Sequence, residues 1–329
     1  AGLTPGLSPA VGADGATTTA GDRGPVAVRF TPPDDARPGQ VGTVLDEVVH
    51  THDVTATLVD LAVRGHLRIV ELEDEDDDAD APSWRLERLD GPAEELDHYE
   101  QVLLDGVFAD GERAVDLADV GFATVLAATQ RALYTDVVDR RWFRADPSHV
   151  RGRWYGAGAA LLVGGIVLSV ALALTVGWGI AGLGVVVAGV VVLALAHRAP
   201  ARTAAGSALL DQALGFKLYL GTAEADQIRV AEAEHVFSRY LPYAIAFGET
   251  DHWAGVFRDL AARGHDLGTP DWYVGAHPLV FASPAFGNQL TSFSSAVSSG
   301  VTASVGSGGG SSFGGGVGGG VGGGGGGGW

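Results

Sequence analysis

Apolar residues recur along this chain in two rhythms, helical and alternating, broken by one long unbroken run. From Val41 the spacing is helical and predicts a first helix over Val41–Val49. "HTHD" at 50–53 reads as a turn, with Asp53 as N-cap of a second helix on which Val54, Leu58, Leu61 and Ala62 share a face. Gly65 stands where a C′ glycine ends such a helix. Alternation follows: "HLRIVEL" sets Leu67, Ile69 and Glu71 on one side of a strand, and "WRLERL" (Trp84–Leu89) alternates again after an acidic loop. Helix, turn, helix and hairpin is winged-helix order, so residues 41–92 are expected to form a winged-helix-like α+β unit. Residues 1–40, rich in Gly, Pro, Ala and Thr, read as a linker, with Val26–Phe30 as a short edge strand.

Helical spacing returns over Tyr99–Phe108, through Tyr99, Val102, Leu103 and Val107. It returns again as a stripe of Phe122, Val125, Leu126, Thr129, Leu133 and Val137, which Pro147 is expected to stop. Residues 93–150 therefore read as a second helical unit, with a degenerate winged helix as one form of it. Its stripes are those of a core.

The unbroken run spans Trp154–Ala196, 43 residues without Asp, Glu, Lys, Arg or His. As one helix it would be roughly 65 Å long. A bilayer core is about 30 Å thick, so the run is twice too long for one crossing and suits two. "TVGWG" (Thr175–Gly179) is the natural break, which predicts a transmembrane hairpin of helices near 155–174 and 178–196. A buried core hairpin or a re-entrant pair is the competing reading, but soluble core helices rarely continue so far without a charge. Small residues at every fourth position, Gly165, Ser169 and Ala173 on one helix and Gly184 and Ala188 on the other, are candidates for close helix packing. Plain abundance of Gly and Ala explains them as well. Arg140, Arg141, Arg144, Arg151 and Arg153 precede the run, Arg198 and Arg202 follow it, and the turn has no basic residue. By the positive-inside bias both long flanks are cytoplasmic, at the cell membrane.

After the run, residues 199–275 read as a cytoplasmic helical domain. Leu209, Ala213, Phe216 and Leu220 mark one helix; Ile228, Val236, Phe237 and Tyr240 a second; Pro242 starts a third; Trp253, Phe257, Leu260 and Ala261 mark a fourth. "DLAARGH" (259–265) echoes "DLAVRGH" (60–66), too briefly to count as a repeat unless the backbones agree. Residues 276–329 form a Ser/Gly-rich tail expected to be disordered, carrying Phe286, Phe293, Phe313 and Trp329 as isolated aromatics.

Charge narrows the function. The chain carries a net −19, and all but one of its basic residues are Arg. Val41–Val150 holds 26 acidic and 9 basic residues, and Glu71–Asp80, at the tip of the wing, holds eight acidic residues and no basic one. Nucleic-acid affinity comes mainly from cations that neutralise phosphates, so a nucleic-acid partner is disfavoured. The chain has no Cys, which excludes disulfides, thiolate metal sites and cysteine nucleophiles. It has no Met, so Ala1 is not a translation start, and no signal peptide is visible at its beginning. No hydrolase, zincin, Walker or kinase motif occurs. His50, His52 and Asp53, with His66, are the one conceivable metal set, and solvated histidines on a turn are the commoner reading. The acidic loop lacks the glycine-turned calcium pattern. No ionisable residue lies within the apolar run, which argues against a pump or coupled transporter. No catalytic, cofactor or metal residue is assigned.

"TLVDLAVRGHLRI", the apolar pair, "GFKLYL" (215–220), "RYLPYAIAFG" (239–248), "PDWY" (270–273) and the Ser/Gly tail closing on Trp together resemble the domain-of-unknown-function 2207 family of predicted bacterial membrane proteins, over nearly the whole chain from Pro25. Members typically also carry a signal peptide, an extracytoplasmic β-rich domain and an earlier span. The resemblance therefore implies that this chain is a C-terminal portion. It supplies architecture and location, and no activity. Two functions remain open: a non-enzymatic membrane-anchored module that contacts lipid and an unidentified protein, and a membrane-tethered winged-helix signalling or transcriptional regulator. An enzyme is a third, weaker reading without a visible constellation. The sequence is silent on oligomeric state.

Overall fold

Two helices and a hairpin come first, as the apolar rhythm predicts, but with shifted ends. A computed structural model describes residues 26–33, 35–72, 83–92, 96–175, 180–225, 228, 233–265, 270–275, 292–293 and 295–297. Helix α1 spans Pro38–Asp46 and so begins inside the expected linker. Proline suits the first helical position, where its missing N–H costs nothing. Helix α2 spans Thr51–Val63. His50, not Asp53, is its N-cap; Asp53 lies three residues in, and its Oδ2 accepts the His50 backbone N–H at 2.7 Å. Gly65 ends α2 at φ 80, where the Gly65 and His66 N–H groups bond the Ala62 and Leu61 carbonyls. The expected edge strand at Val26–Phe30 does not form. Instead that segment lies along a later helix, with the Arg29 N–H on the Gly215 carbonyl at 3.1 Å.

Strands β1 (Leu67–Leu72) and β2 (Ser83–Arg88) pair antiparallel with Ile69 opposite Leu86. Leu67, Ile69, Trp84 and Leu86 face the core, as alternation requires. The acidic loop between them, 73–82, lies outside the described residues. Two strands not expected from the sequence extend this sheet. β3 (Ala114–Asp116) joins β2 antiparallel, and β4 (Tyr273–Val274) joins β1 parallel, giving the order β3-β2-β1-β4. Neither is long enough to show a period, and each exists because a hairpin edge is open to receive it.

Helix α3 spans His98–Val107 and α4 spans Phe122–Asp139, with the six stripe residues of α4 all buried. Pro147 does not stop α4, which ends before Arg140 and Arg141. Arg141 itself takes φ 60. Pro147 instead opens helix α5 (Pro147–Thr175), whose first turn is held by Asp146 Oδ1 accepting the Ser148 N–H at 2.8 Å. Helix α6 spans Ile180–Leu195 and packs antiparallel on α5. Helix α7 (Ala204–Thr222) is capped by Thr203, whose Oγ1 accepts the Gly206 N–H. Helix α8 (Ala233–Phe247) runs through Pro242, which was expected to start a new helix. An internal proline costs about 3 kcal/mol; burial of nearly every residue from Phe237 to Phe247 offsets it. Helix α9 spans Thr250–Ala262. The two "DLAxRGH" segments do share a backbone: each closes a helix on an arginine C-cap followed by a positive-φ glycine, Gly65 or Gly264. A shared helix-ending motif accounts for the echo.

The segments on either side of the apolar pair share one core, running from Ala36 to Val297. α8 lies across α1 and α2, and α7 lies on α1. As a result every residue of α2 from Asp53 to Ala62 is buried. Phe293 is also part of this core. It is 1% exposed, with its ring edge-on to Trp84 at 5.4 Å, so residues 292–293 and 295–297 are ordered helix rather than tail. Phe286, Phe313, Trp329 and the Gly-rich stretch lie outside the described residues.

Candidate functional site

Above its base the apolar pair makes little contact with the body among the described residues. The most apolar window of α5 is only 11% buried, and Val163, Val167 and Leu174 on α5 and Ile180, Leu183 and Val187 on α6 are exposed. α5 is long and apolar enough to cross a membrane; α6, of 16 residues, is shorter. Gly165 and Ser169 lie at the α5–α6 contact. A Cβ on Gly165 would come within 2.7 Å of the Val186 backbone nitrogen, and one on Gly182 within 2.6 Å of that of Ser169. Ala173, Gly184 and Ala188 face outward, and nothing lies within 4 Å of a Cβ on Gly184. Gly158, Gly182 and Gly189 complete the contact. A four-residue step from Gly165 or Gly184 does not reach them. Gly158/Gly165 and Gly182/Gly189 repeat every seven residues, the period that keeps a stripe on a partner helix.

At the base of the pair, the chain entering α5 and the chain leaving α6 run side by side. The Thr203 N–H donates to the Trp142 carbonyl at 3.0 Å, the Arg144 N–H to the Ala201 carbonyl, and Phe143 and Arg202 form a β-bridge. Arg202 reaches from here to the C-terminus of α1. Its Nη1 lies 2.6 Å from Glu47 Oε1, and its Nε and Nη2 donate to the Val44 and Leu45 carbonyls. Arg151, in the second turn of α5, donates to the Glu47 carbonyl at 2.9 Å. The last carbonyls of a helix lack partners and carry the negative end of its dipole. Here two guanidiniums, one from each side of the apolar pair, satisfy them. Glu47 takes φ 62, which turns the chain sharply so that its carbonyl and carboxylate both face these arginines.

A cavity of about 550 Å³ opens where α1, α2, α3, α4 and α8 meet, lined among others by Arg37, Asp60, Arg64, Asp97, Arg140 and Arg239. Arg64 pairs with Asp60 at 2.9 Å and with Glu100. Arg140 pairs with Asp97 at 2.6 Å and Asp136 at 3.1 Å, and the Gln40 amide donates to both of those carboxylates. Burial pushes the Glu100 and Asp136 carboxyls above the usual range, against the pull of Arg64 and Arg140 respectively. The wall charges are of both signs and largely matched. Among the described residues the lining contains no histidine, and the network of Gln40, Asp97, Asp136 and Arg140 ties α1, α3 and α4 together.

The conceivable metal set of His50, His52, Asp53 and His66 is not assembled. His50 and His52 stack at 5.0 Å, while His66 packs against Gly91 beside the hairpin. Among the described residues no three His or acidic side chains are placed to hold a metal. Asp53 is the surprise of this region. It is fully buried against Gly42; among the described residues its Oδ1 has no hydrogen-bond partner and lies 3.6 Å from His52 Nε2, and burial pushes its carboxyl well above the ordinary range. The sequence shows it as a cap or as one of a conceivable metal set, not as a buried acid.

A family model described as the C-terminal domain of a predicted membrane protein (DUF2207) matches residues 27–257. No curated protein and no solved structure shows a significant match. The matched stretch covers α1 to α8, the apolar pair and the base described above, and most of α9. With well over half of its length matched, the chain belongs to the DUF2207 family of predicted membrane proteins, as its C-terminal domain, and that family is one of unknown function.

Proposed function

We propose that the chain is a non-enzymatic, membrane-anchored module. In this reading α5 and α6 cross the cell membrane as a hairpin, and the body on both flanks of the pair lies on the cytoplasmic side and contacts a protein partner. One observation carries the reading: the apolar side chains of α5 and α6 that do not touch each other are exposed to their surroundings. In water that surface would be costly, and in lipid it is the ordinary state. α6 rises roughly 24 Å over its 16 residues, most of the thickness of a bilayer core. The basic residues at the base and the uncharged turn support the orientation.

The helix–helix–hairpin order of residues 38–88 supports a winged-helix-like unit used as scaffold. A nucleic-acid role for that unit has less support. α2, the helix that would enter a groove, is buried under α8, and the unit is strongly acidic.

The chain has no Cys, so Thr175→Cys gives a single label site. An impermeant maleimide should label it on intact cells. Labelling only after lysis would overturn the orientation, and a chain that stays in the aqueous phase without detergent would overturn the anchor.

A further inference from the structure

We infer that Arg141, Arg144 and Arg153 form a collar at the base of the apolar pair that binds the anionic headgroups of phospholipids; the inference rests on the hairpin reading above. The arginines flanking the pair divide into two sets. Arg140, Arg151 and Arg202 turn inward, to Asp97 and Asp136, to the Glu47 carbonyl, and to the Glu47 carboxylate. Arg141, Arg144 and Arg153 are exposed, and among the described residues their side chains make no hydrogen bond or ion pair. The Arg198 side chain lies outside the described residues.

A shortage of carboxylates does not explain the second set. The chain has 40 acidic residues against 21 basic ones. On the sheet, Arg68, Arg85, Arg88 and Arg113 all find acidic partners although they are exposed. Of the carboxylates nearest the collar in sequence, Asp146 is occupied by the Ser148 N–H and hydroxyl and by His149, and Asp139 is exposed without pairing Arg141 among the described residues.

The position fits a headgroup layer. Arg153 directly precedes Trp154 and Tyr155, half-exposed aromatics of the kind that favour the interface. About 10 Å of helix separates Pro147 from Trp154, which is comparable with the screening length of ~8–10 Å at physiological salt. Arg144 stands three residues before Pro147, where the segments entering and leaving the pair bond each other through its N–H and the Ala201 carbonyl. A guanidinium also offers two parallel N–H groups that match a phosphodiester. The collar answers a problem the composition creates. A body with 26 acidic and 9 basic residues over Val41–Val150 is repelled by an anionic membrane, and unpaired cations at the contact offset that repulsion.

The test uses the full chain, wild type and Arg141→Gln/Arg144→Gln/Arg153→Gln, with Arg113→Gln on the sheet as control. Flotation with phosphatidylcholine vesicles comes first, and both proteins should float. A wild type that does not float overturns the hairpin reading itself. Native mass spectrometry and thermal shift in detergent then compare phosphatidylglycerol, phosphatidylcholine and inorganic phosphate. Wild type and control should bind phosphatidylglycerol at about tenfold lower concentration than phosphatidylcholine, and the triple variant should lose that preference. Equal binding of the two lipids by wild type, or an unchanged preference in the triple variant, overturns the collar. Stabilisation by inorganic phosphate equal to that by phosphatidylglycerol overturns the lipid as its ligand. Should the triple variant not fold, Arg153→Gln alone should reduce the preference, and an unchanged preference there overturns the collar equally.

Discussion

The Arg202 guanidinium meets the Glu47 carboxylate at 2.6 Å, which bonds the segment leaving the apolar pair to the end of α1. Both side chains are largely buried, and Arg202 also supplies donors to two carbonyls of α1. Removing Arg202 therefore strands the Glu47 carboxylate and two carbonyls at once. Arg202→Ala should cost about 2–4 kcal/mol. Glu47→Gln, whose amide oxygen still accepts, should cost roughly 1 kcal/mol. Thermal unfolding in detergent measures both, and a smaller loss for Arg202→Ala than for Glu47→Gln would contradict the capping role.

Helix pairing depends on glycines that admit the partner backbone. Gly165→Leu and Gly189→Leu should each destabilise the pair by about 1–3 kcal/mol, because Val186 and Leu162 occupy the space a side chain needs. Gly184→Leu should be tolerated, since its Cβ meets nothing. Equal losses at all three positions in the same detergent would remove the assigned contact face.

Asp53 gives a pH dependence with a definite sign. Its folded pKa is raised by burial. Its contribution to stability is therefore complete below the ordinary carboxylate range and is lost as pH rises through the folded value. Asp53→Asn retains an acceptor for the His50 N–H and cannot ionise. The variant should gain on wild type from pH 4 towards 7, by on the order of 1 kcal/mol. A gap between the two that does not change with pH would exclude a buried ionisation at this position.

Phe293→Ala should cost about 3 kcal/mol, as expected for a fully buried aromatic. A chain ending at residue 291 should lose at least as much. Unfolding midpoints unchanged in both would place residues 292–297 outside the core.

Particular elements show what was legible in the sequence. The six-residue stripe of α4, the alternation of β1 and β2, and the Gly65 stop all depend on neighbours a few residues apart, and the pattern records them. Pro147 and Pro242 were misread because proline is compatible with two outcomes. It suits a helix start, and it survives inside a helix when enough packing offsets it. At the apolar pair, Gly165 and Ser169 were visible but Gly158, Gly182 and Gly189 were not, because a four-residue period and a seven-residue period select different faces of one helix. The arginines at the base were visible as a cluster. Which of them turn inward was not, because for Arg151 and Arg202 that depends on Glu47, a residue more than a hundred positions earlier.

By itself the sequence determined the long uncharged tract, the rhythm of each long helix and the acidic balance of the chain. These follow from local composition and from periods of two and 3.6 residues, which any segment carries wherever it is placed. Tertiary structure decided that the two flanks merge into one core, that α8 covers α2, that Tyr273 and Phe293 return to the first hairpin, and that Arg202 caps α1. Each of these joins residues far apart in the chain through surface shape and unmatched polar groups. A one-dimensional pattern has no coordinate for either.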